Sequence, residues 1–299
     1  MSTGRTEARG FTALVNPISG KRAAQDAWEP VAALLREAGE DVVTVVTESA
    51  VHAAEASAVA AREGRVAVAV GGDGMVRDVA GGVVAASGTM AIVPGGRGND
   101  FAHKLGVPDD AAGLAEMLLG GRVREVDVME ADGVVVPGNL YVGVDSRATR
   151  IINRLRRVPA IVAYRAGGPL AMITWRAPTF TLTTDDGTRE VRAHSVIAAN
   201  SGWYGHGLKI VPSAEVDDGL IDVMVARTDG LGRRNMASYM SEARTGRHVE
   251  RDAVDVHRTT VLTISADAAV PLCMDGDEIG TLPVTVRLRA GALRLVVPG

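Results

Sequence analysis

The sequence predicts an α/β domain with a three-layer, mainly parallel sheet, followed by a larger, mainly antiparallel β-sandwich domain. Three observations carry this expectation. Apolar runs of strand length alternate with helical patterns up to residue 130, the signature of a parallel sheet. Beyond that point short strand-like runs dominate, separated by turn signals such as Asp185-Asp186-Gly187 and Asp218-Gly219. The chain has 299 residues, 46% of them apolar, which is enough for two domains with cores of their own. The division is placed at 1–129 and 130–299, and the last strand is free to pack in either part.

In order, Phe11–Val15 reads as a buried strand, Ala23–Ala38 as a helix and Val42–Thr47 as a strand. His52–Arg62 is a helix, Val66–Val70 a strand, Met75–Ala86 a helix and Met90–Val93 a strand. Asp110–Leu119 is a helix and Val123–Met129 a strand. The second part offers strands at Leu140–Val144, Phe180–Thr184, Val191–Ala199, Leu220–Ala226 and Val261–Ser265, then at Val270–Met274, Val284–Arg289 and Leu293–Val297. Two helices interrupt them, Arg147–Arg157 and Arg233–Arg244. Ligands on open α/β sheets bind at the carboxyl ends of strands, so a cleft between the two parts is the expected site.

Composition excludes several classes. A net charge of −4 argues against general nucleic-acid binding. The polar N-terminus shows no secretory signal, and no run of roughly 18 apolar residues offers a membrane span. One cysteine, Cys273, forms no internal disulfide and fits a reducing compartment. The average charge hides a local feature. From Ser146 to Thr184 there are seven arginines (147, 150, 154, 156, 157, 165 and 176) and no acid.

Three glycine turns follow strands of the first part. They are Asn16-Pro17-Ile18-Ser19-Gly20-Lys21, Gly71-Gly72-Asp73-Gly74 and Pro94-Gly95-Gly96-Arg97-Gly98-Asn99-Asp100-Phe101. Glycine lets backbone N–H groups approach an anion closely, and a helix begins straight after each turn. Each turn alone reads equally well as a tight strand-to-helix connection; three at one sheet edge read as a phosphate cradle. GxxxxGK fails because position 15 is Val. GxGxxG fails because Arg77 and Phe101 occupy its last place.

Together these turns resemble the catalytic domain of the diacylglycerol kinase and sphingosine kinase family, most of all its bacterial diacylglycerol kinases. The resemblance continues through Asn200-Ser201, through Pro212-x-Ala214-x-x-x-Asp218-Gly219-Leu220-Ile221-Asp222, and through Met274-Asp275-Gly276-Asp277-Glu278. The Gly-Gly-Asp-Gly element alone is shared with NAD kinases and phosphofructokinases, whose fold the first part is expected to share. The resemblance implies ATP as donor, Mg²⁺ as cofactor and a lipid hydroxyl as acceptor, most simply that of diacylglycerol. It implies that Asp275 is the catalytic base and that Asp73 serves both catalysis and metal binding. Nucleotide contacts are implied for Asn16, Thr47, Gly71, Gly72, Gly74, Gly96 and Asn99. Metal ligation is implied for Asp73, Asp100 and Asp127 in one acidic network. A second, structural metal site is implied at Glu215, Asp218 and the Leu220 carbonyl. Hydrated Mg²⁺ takes few carboxylates, which suits Asp residues so far apart in sequence.

The chain departs from the family pattern at Met75 and Arg97, where the family carries threonine, and at Asp78, where it carries glutamate. Arg97 offers a bidentate phosphate partner in exchange. Three other readings stay open: another lipid acceptor such as a sphingoid base or phosphatidylglycerol, NAD as acceptor, or a non-catalytic nucleotide- and lipid-binding protein.

Arg147, Arg150, Arg154 and Arg157 recur at helical spacing and share one face. That face suits an anionic membrane surface, and Tyr164 and Trp175 follow it. A helix packed on the β domain with solvated arginines is the alternative. The expectation is a cytoplasmic protein peripherally associated with membrane. Family analogy also allows a homodimer through the β domain.

Overall fold

The computed structural model describes residues 10–16, 23–154, 167–168, 170–205, 207–232 and 235–299. The Pro17-to-Lys21 turn, the 155–166 part of the arginine-rich stretch (with Arg156, Arg157, Tyr164 and Arg165) and Arg233 lie outside the described residues.

The first part is a parallel sheet between helices. β1 (Phe11–Val15) lies between β2 (Val42–Val46) and β3 (Val66–Gly71), and β4 (Thr89–Pro94) flanks β3. β1 and β3 are buried along their whole length, which fits the Val/Ala run of β3 and the mostly apolar Phe-Thr-Ala-Leu-Val of β1. α1 (Ala23–Glu37) turns Trp28, Val31, Ala32 and Leu35 inward at spacings of three and four, and Trp28 Nε1 donates to Thr44 Oγ1 at 2.9 Å. α2 (Ala50–Arg62), capped by Ser49, packs against α3 (Asp73–Ala85). α4 (Asp100–Lys104) is the short helix that follows the third glycine turn, and α5 (Ala111–Gly120) begins at the capping side chain of Asp110.

β5 (Arg122–Ala131) and β6 (Val134–Val136) lead out of this layer into a β-sandwich. One sheet holds β7 (Asn139–Gly143), β12 (Ile221–Arg227), β13 (Val254–Thr259), β15 (Pro271–Met274) and β16 (Asp277–Thr281). β8 (Thr179–Thr184) and β14 (Val261–Ala266) belong to the other. β9 (Gly187–Ala199) serves both sheets, pairing β8 through its first half and β7 and β12 through its second. Phe180, Leu182, Leu262 and Ile264 face Leu140, Val142, Val223 and Leu272 in the core between them. α6 (Val144–Arg154) and a helix at Met236–Glu242 sit outside the sheets. β10 (Trp203–Tyr204) and β11 (Leu208–Lys209) form a small separate ribbon.

The last strand corrects the expectation of two separate strands. Val284–Val297 is one strand, β17, with a shift in register between Arg289 and Leu293 and a left-handed Gly291 at φ +59°. Its first half pairs β14 of the sandwich, and its second half pairs β4 of the parallel sheet. The two parts therefore share a continuous strand. The sequence pattern also misses β6, β13 and β16, which are short or polar and show no clear alternation.

Candidate active site

The carboxyl ends of β3 and β4 lie side by side, so the two glycine turns that follow them meet. Gly95 N–H donates to Gly71 O at 2.9 Å. Gly72 and Gly96 touch backbone to backbone: a Cβ on Gly96 would lie 2.8 Å from Gly72 N, closer than any real side chain sits. Asn99, in the left-handed region at φ +56°, locks the second turn by accepting from Gly96 N–H and donating to Gly96 O. Asn99 thus shapes the loop from within. α3 starts at Gly72 with no side chain capping it, which leaves its N-terminal N–H groups facing the cleft. Asn16 and Thr47 close the neighbouring edge. Asn16 N–H donates to Val70 O, and the buried Thr47 hydroxyl donates to Val15 O at 3.2 Å.

Replacing Gly96 with Ala should force the two turns apart. The expected result is a loss of about 1–3 kcal/mol of stability, typical of overpacking, together with weaker ATP binding. Urea unfolding and titration with a fluorescent ATP analogue check it; unchanged ATP affinity would remove this loop from the nucleotide site.

Asp73 and Asp100 converge on Gly98. The Oδ2 atoms lie 2.9 and 3.0 Å from where a Gly98 Cβ would stand. Asp73 Oδ1 accepts from Phe101 N–H at 3.1 Å, and Asp100 Oδ1 accepts from Gly207 N–H at 2.7 Å. Burial and then the charge of Asp100 raise the Asp73 carboxyl above its ordinary range. Two carboxylates with free oxygens on a shared, side-chain-free face fit a hydrated divalent cation that phosphate oxygens would complete. Arg97 stands exposed at the rim of the cleft, with no partner among the described residues.

Asp127 behaves differently. It is buried at 3% exposure, its Oδ2 accepts from Gly219 N–H and its Oδ1 from Gly291 N–H, both at 2.7 Å. It stands with the Asp218 loop, and both of its oxygens are engaged. Glu215 pairs with Lys104 at 3.3 Å, and Asp218 Oδ1 accepts from Leu220 N–H at 3.1 Å. Among the described residues no three His, Cys, Asp or Glu side chains group as a metal site.

Asp275 comes from the opposite wall. It forms the turn between β15 and β16, with Asp275 at φ +46° and Gly276 at φ +87°, a two-residue hairpin of left-handed residues. Its backbone N–H donates to Asn139 O, and Asn139 N–H donates back to Asp275 Oδ1 at 2.8 Å. Burial drives the Asp275 carboxyl up to about 7; the Asn139 N–H and Arg77 oppose this, and Asp73 adds to it. Arg77, which pattern matching treats only as a mismatch, reaches from α3 to this hairpin: Nη1 donates to Met274 O at 3.0 Å.

A cavity of about 870 Å³ runs from the glycine turns past Asp275 into the second part of the chain. Its inner wall is apolar, with Val144, Ile152, Met172, Leu208 and Leu231. Polar side chains interrupt that wall, Asp145 among them. Asp145 accepts from Ser195 Oγ and, at 2.9 Å, from Tyr204 Oη. Burial raises the Asp145 carboxyl, and these hydrogen bonds pull against that. Sequence reasoning passes over Asp145. The available signal is its place at the end of an apolar strand, immediately before the acid-free arginine-rich stretch.

The family models match in two consecutive blocks. Residues 10–131 match the diacylglycerol kinase catalytic domain, and residues 138–297 match the YegS C-terminal NAD kinase beta sandwich-like domain. The chain belongs to the diacylglycerol kinase family of lipid kinases. A diacylglycerol kinase of Mycobacterium tuberculosis is 30% identical over 98% of this chain and 97% of its own length. A Bacillus subtilis diacylglycerol kinase is 26% identical, with 90% of each chain covered. The fold is shared with a Bacillus anthracis diacylglycerol kinase structure, at a TM-score of 0.71, 20% identity and 98% coverage of both chains. In this diacylglycerol kinase family member, the glycine turns after β3 and β4 and the Asp275 hairpin come from different family blocks and meet in one cleft.

Proposed function

We propose that the chain is an ATP- and Mg²⁺-dependent kinase that phosphorylates the free hydroxyl of diacylglycerol. One observation carries this: Asp275 faces the Gly72–Gly74 turn across a cleft that opens directly into an apolar cavity. The relatives named diacylglycerol kinase support the acceptor.

The turns at Gly72–Gly74 and Gly96–Gly98 would cradle the ATP phosphates with backbone N–H groups, and Arg97 would add a guanidinium at the rim. Asp73 and Asp100 would hold Mg²⁺, which when bound neutralises charge on the transferring phosphoryl group. Asp275 orients the acceptor hydroxyl toward the γ-phosphorus and takes its proton as the new O–P bond forms and the bond to the ADP oxygen breaks. A loose transition state asks little more of the protein than this positioning.

Access for a bilayer substrate fits the cavity mouth. Ile173 and Met240 line the cavity and are 65% and 36% exposed, and Leu170 beside them is 46% exposed. The arginine face of α6 contributes less than its spacing suggests. Arg147 donates to Thr174 Oγ1, and Arg150 forms a two-pronged pair with Glu278 at 2.7 and 2.8 Å. Arg154 remains for anionic headgroups. Among the described residues no helix is long and apolar enough to cross a membrane.

Asp145 favours a second reading. A carboxylate in the cavity wall suits an acceptor that brings an extra donor, such as a sphingoid base or phosphatidylglycerol. One assay separates these: transfer of radiolabel from [γ-³²P]ATP with Mg²⁺ to mixed micelles of diacylglycerol, sphingosine or phosphatidylglycerol, with NAD in parallel. Labelled phosphatidic acid is the expected product. Label only in another lane would move the acceptor, and no label in any lane would support a non-catalytic protein.

A further inference from the structure

We infer that Arg77 is a positioning residue that clamps the Asp275 hairpin onto the nucleotide-binding helix; the inference rests on the kinase reading for its effect on turnover. Arg77 stands four residues after Asp73 on α3, so the two share a helix face. Its side chain is only 7% exposed. A buried guanidinium needs hydrogen-bond partners for its N–H groups, and Arg77 makes four such contacts, shared between both sides of the cleft. Nε and Nη2 donate to Asp78 Oδ1 at 3.1 and 2.9 Å on its own helix. Nη1 donates to Met274 O at 3.0 Å, and Nη2 lies 3.2 Å from Asp277 Oδ2. Met274 and Asp277 are the residues that open and close the two-residue Asp275-Gly276 turn.

The guanidinium therefore grips both ends of the hairpin that carries the base. The planar fork fixes direction as well as distance, which a single ammonium cannot do. Asp78 completes the arrangement. It orients the guanidinium from the helix side, and a carboxylate one carbon longer at this place would set the fork differently. The groups facing Asp275 are Asp73 and Arg77 from α3 and the backbone N–H groups of Gly138 and Asn139 at the start of β7. Arg77 is the only cation among them. Burial works against its charge, and Asp78, Asp277 and Asp275 more than offset that. Arg77 thus ties the spacing between the Gly72–Gly74 turn and Asp275 to one side chain. A misplacement of about 1 Å between reacting groups lowers turnover by about 100-fold.

The test uses the full chain with Arg77→Met, Arg77→Lys and Asp277→Asn. Phosphoryl transfer is measured against ATP and lipid concentration, and hydrogen exchange is followed over residues 271–281. Arg77→Met should lower kcat by about 30- to 100-fold with the KM for ATP changed less than about threefold, and should speed exchange in the hairpin. Arg77→Lys should recover part of kcat. Asp277→Asn should show the same split more weakly, and because Asp277 is half exposed it should keep the fold. Unchanged hairpin exchange in Arg77→Met overturns the clamp. So does a loss of ATP affinity equal to the loss of kcat, or a Lys variant no better than Met. If the wild-type chain labels no acceptor, the kinase reading fails while the exchange data still decide whether Arg77 holds the hairpin.

Discussion

Asp275→Asn is expected to abolish phosphoryl transfer to lipid while leaving ATP binding close to wild type. The side chain lies on the far wall from the glycine turns, held by Asn139 N–H, and no nucleotide-side loop depends on it. Losing a positioned general base lowers turnover by about 100- to 10,000-fold. The pH dependence follows from its environment. Burial pushes this carboxyl up to about 7, with Asp73 adding to the shift and the Asn139 N–H and Arg77 opposing it. A base acts in its ionised form, so wild-type turnover should fall as pH drops through about 7. Stability runs the other way. The folded pKa lies above the ordinary value of 3.8, so the stability associated with the protonated form is complete below 3.8 and is lost as pH rises through about 7. An Asn at 275 never ionises. Its melting temperature should therefore exceed that of the wild type by a margin that widens from pH 5 to pH 8. Transfer assays, ATP titration and thermal melts at both pH values check this. Retained turnover would remove Asp275 from the chemistry, and a constant melting gap would contradict its burial.

The second large effect is expected at Asp127. Its two oxygens accept from Gly219 and Gly291, joining β5 to the Asp218 loop and to the bend of β17. Asn at this place can accept only one of those N–H groups and turns its amide hydrogens toward the other. A buried N–H left unpaired, together with the loss of charge-assisted bonds, should lower stability by about 2–4 kcal/mol. Urea unfolding should show this loss equally with and without Mg²⁺. If stability is unchanged and Mg²⁺ affinity falls instead, Asp127 belongs to the metal network that the family resemblance implies.

These two carboxylates show where sequence reasoning runs out. Asp275 sits in a motif legible in the chain and Asp127 in a predicted strand, and the resemblance assigns both to the reaction centre. The difference between them lies in which backbone N–H groups face them, and residues 127, 219 and 291 have no common pattern in sequence. Asp145 is harder still. Nothing local distinguishes it from a solvated acid after a strand; it matters because β9 and β10 bring Ser195 and Tyr204 onto it beside an apolar cavity. Arg150 shows the opposite case. Its helical spacing with other arginines suggests a surface facing anions at large, but the fold supplies a specific acid, Glu278, from a hairpin more than a hundred residues away.

Local physics wrote much of the molecule directly into the chain. Largely apolar runs made β1, β3 and β4, glycine made the turns after β3 and β4, and a 3.6-residue period made α1. The order of those elements determined the two-part architecture and the cleft edge. Tertiary structure alone decided that β17 runs through both parts, that the Asp275 hairpin reaches the Gly72–Gly74 turn, and that Arg77 joins them. The physical reason is distance along the chain. Backbone propensity and periodicity act over a few residues, whereas a buried guanidinium or carboxylate is satisfied by whichever groups the fold brings within 3 Å of it, wherever they stand in sequence.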